Sequence, residues 1–282
     1  IGIWYWCTDQ YIVQRVLSAQ NETQARRGTI FAGYLKLLPI FMFFIPGLIA
    51  YAMSKSGQLT YASSDQVFPT LVRELLPSGM RGLVAGGLLA ALMSSLSSVF
   101  NSCSTLFTMD IYKKLKPRSS ERTLIFVGRV ATGIIVITGI LWIPLMKVVS
   151  SGGIYKYLQS VQAYIAPPIA AVFLLGLFWS RINAQGALAA LVSGFTAGMV
   201  RLGLEINKSN LSGFWFDFAD LNFLYFAIFS FLCCITIMIV VSMLTKAPDQ
   251  KQLYGLTYST TAKSDKESSN NSWTNYDLIN SA

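Results

Sequence analysis

Residues 82–112 read GLVAGGLLAALMSSLSSVFNSCSTLFTMDIY, and this stretch decides the fold class. No charged residue occurs between Gly82 and Met109, and a helix needs only ~20 apolar residues to cross the ~30 Å hydrocarbon core of a bilayer. At about 1.5 Å per residue the whole stretch exceeds that thickness, so we expect a helix that is tilted or extends beyond the bilayer. The hydropathy does not alternate with a period of two, which excludes a transmembrane β-barrel.

The rest of the chain repeats this apolar pattern. Of the 282 residues, 53% are apolar and 12% are charged, against roughly 25% charged in an average soluble domain. So few charges cannot cover a soluble surface, and we predict an all-α, polytopic transmembrane helical bundle. Residues 1–246 would form this membrane region, and residues 247–282, rich in Ser, Asn, Thr and Lys, a polar, disordered cytoplasmic tail. The predicted spans are residues 1–16, 28–53, 82–112, 124–146, 157–180, 185–204 and 222–245.

The sequence starts inside apolar sequence at Ile1, with no basic flank and no small-residue cleavage site. A signal peptide has both of these features. We therefore expect the chain to be a fragment whose first span is truncated.

Positive charge is concentrated in alternate loops. Lys and Arg number 22 against 13 acidic residues, a net charge of +9. The loops after the first, third, fifth and seventh spans carry the excess, so these loops are predicted to be cytoplasmic in a multi-pass protein of the plasma (inner) membrane. Charge of this kind sets membrane topology, and a nucleic-acid partner is not expected. The basic residues are Arg15, Arg26, Arg27, Lys113, Lys114, Lys116, Arg118, Arg122, Arg181, Lys246 and Lys251.

Catalytic chemistry has little support in the sequence. Histidine, the commonest general base, does not occur, and none of the four cysteines is part of a CxxC motif. The spans also contain no paired carboxylates and no nucleophile with an adjacent base. We therefore do not expect an enzyme.

Two polar clusters near the start of the chain lie where a bilayer would reject them. The aromatic rings of Trp4–Gln10 would form either an interfacial belt or a surface that stacks on a ligand such as a sugar ring. Lys36 follows Arg27 by nine residues, about 13 Å at helical rise, so it lies near the midplane. Its ammonium would need either a structural partner or a ligand as its acceptor.

Two further polar clusters occur in later spans. Residues 94, 98, 101, 102 and 105 form one polar stripe at helical spacing. The stripe would either pack against another helix or supply oxygens to a sodium ion. Gln159–Tyr164 precede Pro167–Pro168, where the helix would either break around a binding site or only kink.

Four blocks of the sequence, in order, resemble the sodium/glucose cotransporter branch of the sodium:solute symporter family. The resemblance is dense over about residues 1–181 and looser to about residue 255. It implies a partial LeuT-like inverted-repeat transporter fold, in which the seven spans would be most of core helix 6, core helices 7 to 10 and two peripheral helices. The blocks are Trp4–Gln10 with Gln14–Arg15, Tyr34–Leu37, Ala90–Tyr112 and Ala166–Trp179.

The resemblance also implies roles for individual residues. The family's sugar contacts match Trp6, Lys36 and Gln159; Tyr5 matches the tyrosine that closes the inner side of the sugar site, and Arg15 matches a cytoplasmic gate position. The family's sodium ligands match Ala91 (carbonyl), Ser94 and Ser95 (hydroxyls), and Ser98 falls where some members bind a second sodium ion.

On this resemblance we expect a symporter that uses sodium as its coupling ion and moves a glucose- or galactose-type sugar into the cell by alternating access. Gly2, Gln162 and Lys156 depart from the family's usual pattern, which leaves the solute open. The alternatives are a sodium symporter for another small solute, such as inositol, and a sugar sensor that does not transport.

Overall fold

The computed structural model describes residues 1–149 and 153–281, and within these ranges the secondary structure is entirely helical. The chain divides into two compact units. The first comprises Ile1–Phe31 and the residues from Tyr155 onward, and the second comprises Ala32–Ile154. In chain order the helices are α1 (Gly2–Cys7), α2 (Gln10–Leu17), α3 (Glu22–Leu35), α4 (Leu38–Lys55), α5 (Val67–Leu75), α6 (Ser78–Leu106), α7 (Lys113–Leu115), α8 (Glu121–Val149), α9 (Ile154–Phe178), α10 (Ala184–Ile206), α11 (Phe214–Asp220), α12 (Phe223–Leu244), α13 (Gln250–Leu253), α14 (Lys263–Asn271) and α15 (Asn275–Ser281).

Six helical segments of the described chain are long and apolar enough to cross a membrane. They correspond to the last six predicted spans, and the prediction of an all-α transmembrane bundle is confirmed. Their bounds are Glu22–Lys55, Ser78–Leu115, Glu121–Pro144, Ile154–Phe178, Ala184–Ile206 and Phe223–Leu244.

The first predicted span, residues 1–16, differs from the structure, which has two short helices there. α1 ends at Cys7 and α2 starts at Gln10. The Thr8 hydroxyl donates to the Trp4 carbonyl oxygen at 2.8 Å, and an Asp9 carboxylate oxygen accepts from the Tyr11 N–H at 3.1 Å. These side chains satisfy backbone groups that the break would otherwise leave without partners.

The second unit pairs α6 with α8. The Ser104 hydroxyl donates to the Gly128 carbonyl oxygen at 2.8 Å, and the absence of a side chain at Gly128 leaves room for the hydroxyls of Ser104 and Thr108. After Leu106 the α6 segment continues as a π-helical turn, Phe107–Tyr112. The long apolar stretch therefore stays helical to its basic end, which the sequence predicts to be cytoplasmic.

The first unit packs α9, α10 and α12 around small residues of α10. A methyl group added at Gly186 would overlap the Ser242 hydroxyl, and one added at Gly194 would overlap the Pro168 ring. At Gly198 the same group would lie 2.9 Å from the Tyr164 carbonyl oxygen. Gly186, Gly194 and Gly198, with the fully buried Ala190, recur at four-residue spacing, which allows close helix approach in a membrane.

Loop contacts within each unit agree with the sidedness predicted from charge. In the second unit an Asp65 carboxylate oxygen accepts from the Ile154 N–H at 3.1 Å. In the first unit Arg181 Nη2 donates to the Thr245 carbonyl oxygen at 2.9 Å. The first pair joins two loops predicted to be outside, and the second pair joins two predicted to be cytoplasmic.

The polar segment after α12 contains three short helices, whereas the sequence led us to expect disorder from residue 247. α15 begins with a reciprocal capping arrangement between Thr274 and Asp277. The Thr274 N–H and hydroxyl donate to Asp277 Oδ2 at 3.0 and 2.6 Å, and the Asp277 N–H donates to Thr274 Oγ1 at 3.3 Å. Such caps stabilise helices with little apolar character. The Thr274 hydroxyl, followed by Arg27, holds the pKa of Asp277 below its usual range.

Replacing Gly194 with Ala is expected to destabilise the first unit. The new methyl group would overlap the Pro168 ring and lie 2.7 Å from Cys234 Sγ. Overpacking of this kind costs about 1–3 kcal/mol, which exceeds the gain of up to about 1 kcal/mol in helix propensity. The melting temperature of the detergent-solubilised protein measures this effect.

The matched control is Gly203→Ala on the same helix, where a methyl group would meet nothing within 4 Å. We expect this variant to melt at the native temperature or slightly above it. Equal melting temperatures for the two variants would contradict the packing described for α10.

Candidate functional site

The aromatic residues of α1 form a contiguous ring cluster in the first unit. The Tyr5 and Trp6 rings meet edge to face with centroids 5.7 Å apart, and the Trp4 and Tyr5 rings are 6.5 Å apart. All three side chains are half-buried. Ile1, just before α1, packs against the cluster of Ala163, Tyr164, Phe226 and Ala227. The start of α1 therefore lies beside α9.

The break between α1 and α2 follows this ring cluster directly. At Thr8 and Asp9 the chain leaves the helical path and re-enters it at Gln10. Helices interrupted inside a membrane are tolerated where they are buried in protein or line a cavity, and in transporters they commonly form binding sites. Tyr5 and Trp6 lie directly before this interruption, and their role in a solute site stays a prediction.

Arg15 lies in the last turn of α2. Its side chain is exposed, and its guanidinium lies over the Tyr11 ring at 4.8 Å from the centroid. This cation–π contact fixes the side chain against its own helix. The gate role of Arg15 remains a prediction.

Gln159 lies on α9 in the first unit and is half-buried. Its amide Nε2 donates to the Tyr155 hydroxyl at 2.9 Å, one turn earlier on the helix. The helix continues from Ile154 to Phe178 through both buried prolines, Pro167 and Pro168. The sequence left two alternatives at these prolines, a helix break around a binding site or only a kink. The structure shows no break.

Lys36 lies at a second interruption, in the segment assigned to the second unit. α3 ends at Leu35 and α4 starts at Leu38, with Pro39 in its first turn. The Lys36 N–H is shared between the carbonyl oxygens of Ala32 and Gly33, at 3.0 and 3.1 Å. The exposed side chain therefore projects from an irregular turn within a membrane span, a position that the sequence analysis did not foresee.

The predicted sodium ligands lie on α6 of the second unit. Ala91, Ser94, Ser95 and Ser98 follow the i, i+3, i+4, i+7 spacing that places side chains on one helix face. The Ser98 hydroxyl donates to the Ser94 carbonyl oxygen at 3.1 Å, and the Ser97 hydroxyl donates to the same oxygen at 2.9 Å. Within the described part of the chain the hydroxyls of Ser94 and Ser95 make no such bond, so their oxygens are available to a ligand.

The predicted site residues are thus divided between the two units. The first unit holds the ring cluster of α1, Arg15 on α2 and Gln159 on α9. The second unit holds Lys36 and the serine face of α6. The assignment of roles to individual residues stays a prediction.

A buried polar network on α10 escaped the sequence analysis. Arg201 is 2% exposed, donates to the Leu221 carbonyl oxygen, and lies over the Phe218 and Phe226 rings at 5.4 and 5.3 Å. Its Nε and Nη1 have no hydrogen-bond partner among the described residues. Ionisable residues inside a predicted span are themselves the signal, and applying that rule to residues 185–204 would have found Arg201.

The same network reaches α9. The Tyr164 hydroxyl donates to Glu205, one turn after Arg201, and the Tyr164 ring meets Phe226 edge to face at 5.5 Å. α9, which carries Gln159, is therefore fastened to α10 and α12 by both polar and aromatic contacts.

Comparison with known proteins identifies the family. The protein-family sequence model described as "Sodium:solute symporter family" matches residues 2–194. The chain belongs to the sodium:solute symporter family. It is 41% identical over 280 residues to sodium/glucose cotransporter 1 of Sus scrofa, covering 92% of this chain and 42% of that protein. It is also 41% identical over 279 residues to sodium/myo-inositol cotransporter 2 of Mus musculus, covering 92% and 41%.

A further symporter relative is sodium/glucose cotransporter 4 of Danio rerio, 40% identical over 276 residues, again with 92% of this chain and 42% of that protein covered. The chain thus spans about two fifths of the length of these relatives. The resemblance noted in the sequence is confirmed.

Removing the cap at the α1–α2 break is expected to destabilise this interruption. Asp9→Ala deletes the oxygen that accepts the Tyr11 N–H, and losing such a cap costs about 1 kcal/mol. Asp9→Asn keeps an acceptor oxygen and should stay near the native stability. Thermal unfolding in detergent separates the two variants, and identical losses for both would show that capping is not what Asp9 provides.

Proposed function

We propose that this chain forms the solute- and ion-binding part of a sodium-coupled symporter for a sugar of the glucose or galactose type. The observation that carries the proposal is family membership, together with relatives named as sodium/glucose and sodium/myo-inositol cotransporters. The interrupted helices near the ring cluster and at Lys36 support it, because ion-coupled transporters bind their substrates at such interruptions. Transport, and no covalent chemistry, is the activity proposed.

Sodium would bind at the exposed serine face of α6. A hard cation prefers several oxygen ligands, and Ser94 and Ser95 offer hydroxyls that are not engaged with other described groups. The Ser94 carbonyl is already oriented by two neighbouring serine hydroxyls. We assign Ala91 as a carbonyl ligand and Ser98 as a contact for a possible second sodium ion.

The sugar would bind between aromatic and amide groups. In the first unit the Trp6 ring would cover the apolar face of the sugar, and the Gln159 amide would bond its hydroxyls. For Lys36, in the second unit, we propose a sugar contact from the resemblance to the family alone. Tyr5, held edge to face against Trp6, would block the inner exit, and Arg15 would lie on the cytoplasmic side of this gate.

Alternating access then follows from linkage between the two ligands. Each ligand favours the same outward-open state, so each raises the affinity for the other. Rocking of one helix group against another, followed by sodium release, would free the sugar past Tyr5. The coupling requires no chemical change in either ligand.

A second candidate solute is myo-inositol, favoured by the 41% identity to the mouse sodium/myo-inositol cotransporter 2. Both solutes are six-membered rings with several hydroxyls, so the groups proposed here would suit either. Competition between labelled glucose and unlabelled myo-inositol during sodium-driven uptake distinguishes them. A sugar sensor on the same scaffold would give sugar-dependent current without accumulation of tracer.

Ser95→Ala is expected to weaken sodium dependence. The variant loses one proposed ligand, and the sodium concentration for half-maximal uptake should rise about tenfold, equivalent to about 1.4 kcal/mol. Uptake into proteoliposomes is measured against sodium concentration for protein expressed from the complete coding sequence. Thr138→Ala on α8 is the control, because the Thr138 hydroxyl bonds only its own helix, at the Ile134 carbonyl. An unchanged sodium curve for Ser95→Ala would refute the assignment.

Gln159→Ala is expected to raise the KM for sugar while leaving sodium dependence nearly unchanged. Loss of one or two hydrogen bonds to the solute costs about 1–3 kcal/mol, which corresponds to a change in affinity between about fivefold and about 150-fold. Tyr155→Phe removes the hydroxyl that orients Gln159 and should raise KM by a smaller factor. If Gln159→Ala retains the native KM, the amide is not a solute contact.

A further inference from the structure

The first turns of α3 hold part of the polar segment through Arg26. Arg26 Nη1 donates to the Ser269 carbonyl oxygen at 2.7 Å and to the Ser272 hydroxyl, while Nη2 donates to the Ser269 hydroxyl at 2.6 Å. The same guanidinium lies over the Trp273 ring, 4.4 Å from its centroid. One side chain therefore bonds and stacks on a single short stretch of the polar segment.

Arg27 makes the second attachment. Its Nε lies 3.3 Å from Asp277 Oδ1. Asp277 is only 5% exposed, and its second oxygen is bonded by Thr274. The Asp277 carboxylate thus caps the start of α15 and also joins it to α3. Two adjacent arginines therefore hold residues 269–277 at two points.

These attachments are polar, and the apolar side chains of the segment contribute little. Tyr276, Leu278 and Ile279 are 78%, 57% and 74% exposed. The helices α9, α10 and α12 pack through glycines and buried apolar residues elsewhere in the unit. Opening the arginine contacts would therefore release the segment without disturbing that packing, as expected of an element with low local stability.

The anchoring point is close to the proposed gate along the chain. α3 begins at Glu22, five residues after α2 ends at Leu17, and α2 carries Arg15. A segment bound to the first turns of α3 would hinder movement of the short connection between α2 and α3. Motion of α1 and α2 that admits or releases solute would have to carry the bound segment with it.

We propose that the Arg26–Arg27 face of α3 is a docking surface for residues 263–281 of the same chain, and that docking restrains opening of the α1–α2 gate. This inference rests on the proposed transport function for its physiological effect. Solute uptake is slow while the segment is docked, and release of the segment raises the uptake rate. A device of this kind biases a two-state element through local electrostatic contacts.

The release experiment uses Arg26→Gln combined with Arg27→Gln in the protein expressed from its complete coding sequence. Weakening the docked state should raise the maximal uptake rate by about twofold or more, with unchanged KM for sugar and sodium. Arg73→Gln is the control, because it replaces an arginine in the same way, in an exposed pair with Glu74. This control should transport at the native rate.

The locking experiment joins the two elements covalently. Arg27→Cys with Asp277→Cys, treated with a short bismaleimide, should form a crosslink identified by mass spectrometry and lower the maximal uptake rate. Each single-cysteine variant treated in the same way is the control. No crosslink in the membrane-embedded protein would overturn the docking, and a crosslink with an unchanged rate would overturn the restraint.

A readout that does not depend on transport uses Cys7, an exposed cysteine at the end of α1. Release of the segment should raise the rate at which a small maleimide modifies Cys7, with Cys7→Ser subtracting the other cysteines. Faster modification without uptake in any variant would refute the transport function and leave the restraint standing. Normal uptake with no change in either modification or rate would refute the restraint alone.

Discussion

The hydrocarbon interior offers no hydrogen-bond partners to a polypeptide backbone, and the rest of the structure depends on this constraint. Each long apolar stretch is helical as a result, and its hydroxyls bond carbonyls of their own helix, as at Ser102 and Thr196. An interruption is tolerated only where other groups satisfy the freed backbone. Asp9 does this at the first break, and a shared N–H bond at Lys36 does so at the second. Both interruptions carry residues assigned to the solute site.

Close packing of α9, α10 and α12 supports Gln159, another residue assigned to the solute site. Pro168 lies directly against Gly194, and Tyr164 against Gly198, so α9 cannot shift far along α10 without overlap. The Tyr164–Glu205 bond fastens the same helix at its side. Gln159 therefore projects from a helix whose position is fixed by small residues and by a buried polar network.

Predictions that depend on local properties of the sequence were accurate, whereas features that depend on contacts between distant residues were missed. Six of the seven spans were found because hydropathy is a local property. The helix breaks after Cys7 and after Leu35 were not predicted. At Pro167 and Pro168 the sequence left a break and a kink as alternatives, and packing against α10 keeps that helix intact. The helices of the polar segment were also missed, since they depend on a capping pair and on arginines more than 240 positions earlier in the chain. Arg201 was overlooked although its location in a span marked it.

The sequence by itself determined that this protein is a multi-helix membrane protein of the sodium:solute symporter family. The length of its apolar stretches and its short motifs are local features that can be identified without the structure. It also supplied the candidate residues of both binding sites. Only the tertiary structure decided which side chains are held and which remain available: that Pro168 lies against Gly194, that Arg201 bonds the Leu221 carbonyl oxygen, and that Arg26 holds Ser269. Such contacts depend on how distant helices and turns meet, and no local pattern of residues specifies that geometry.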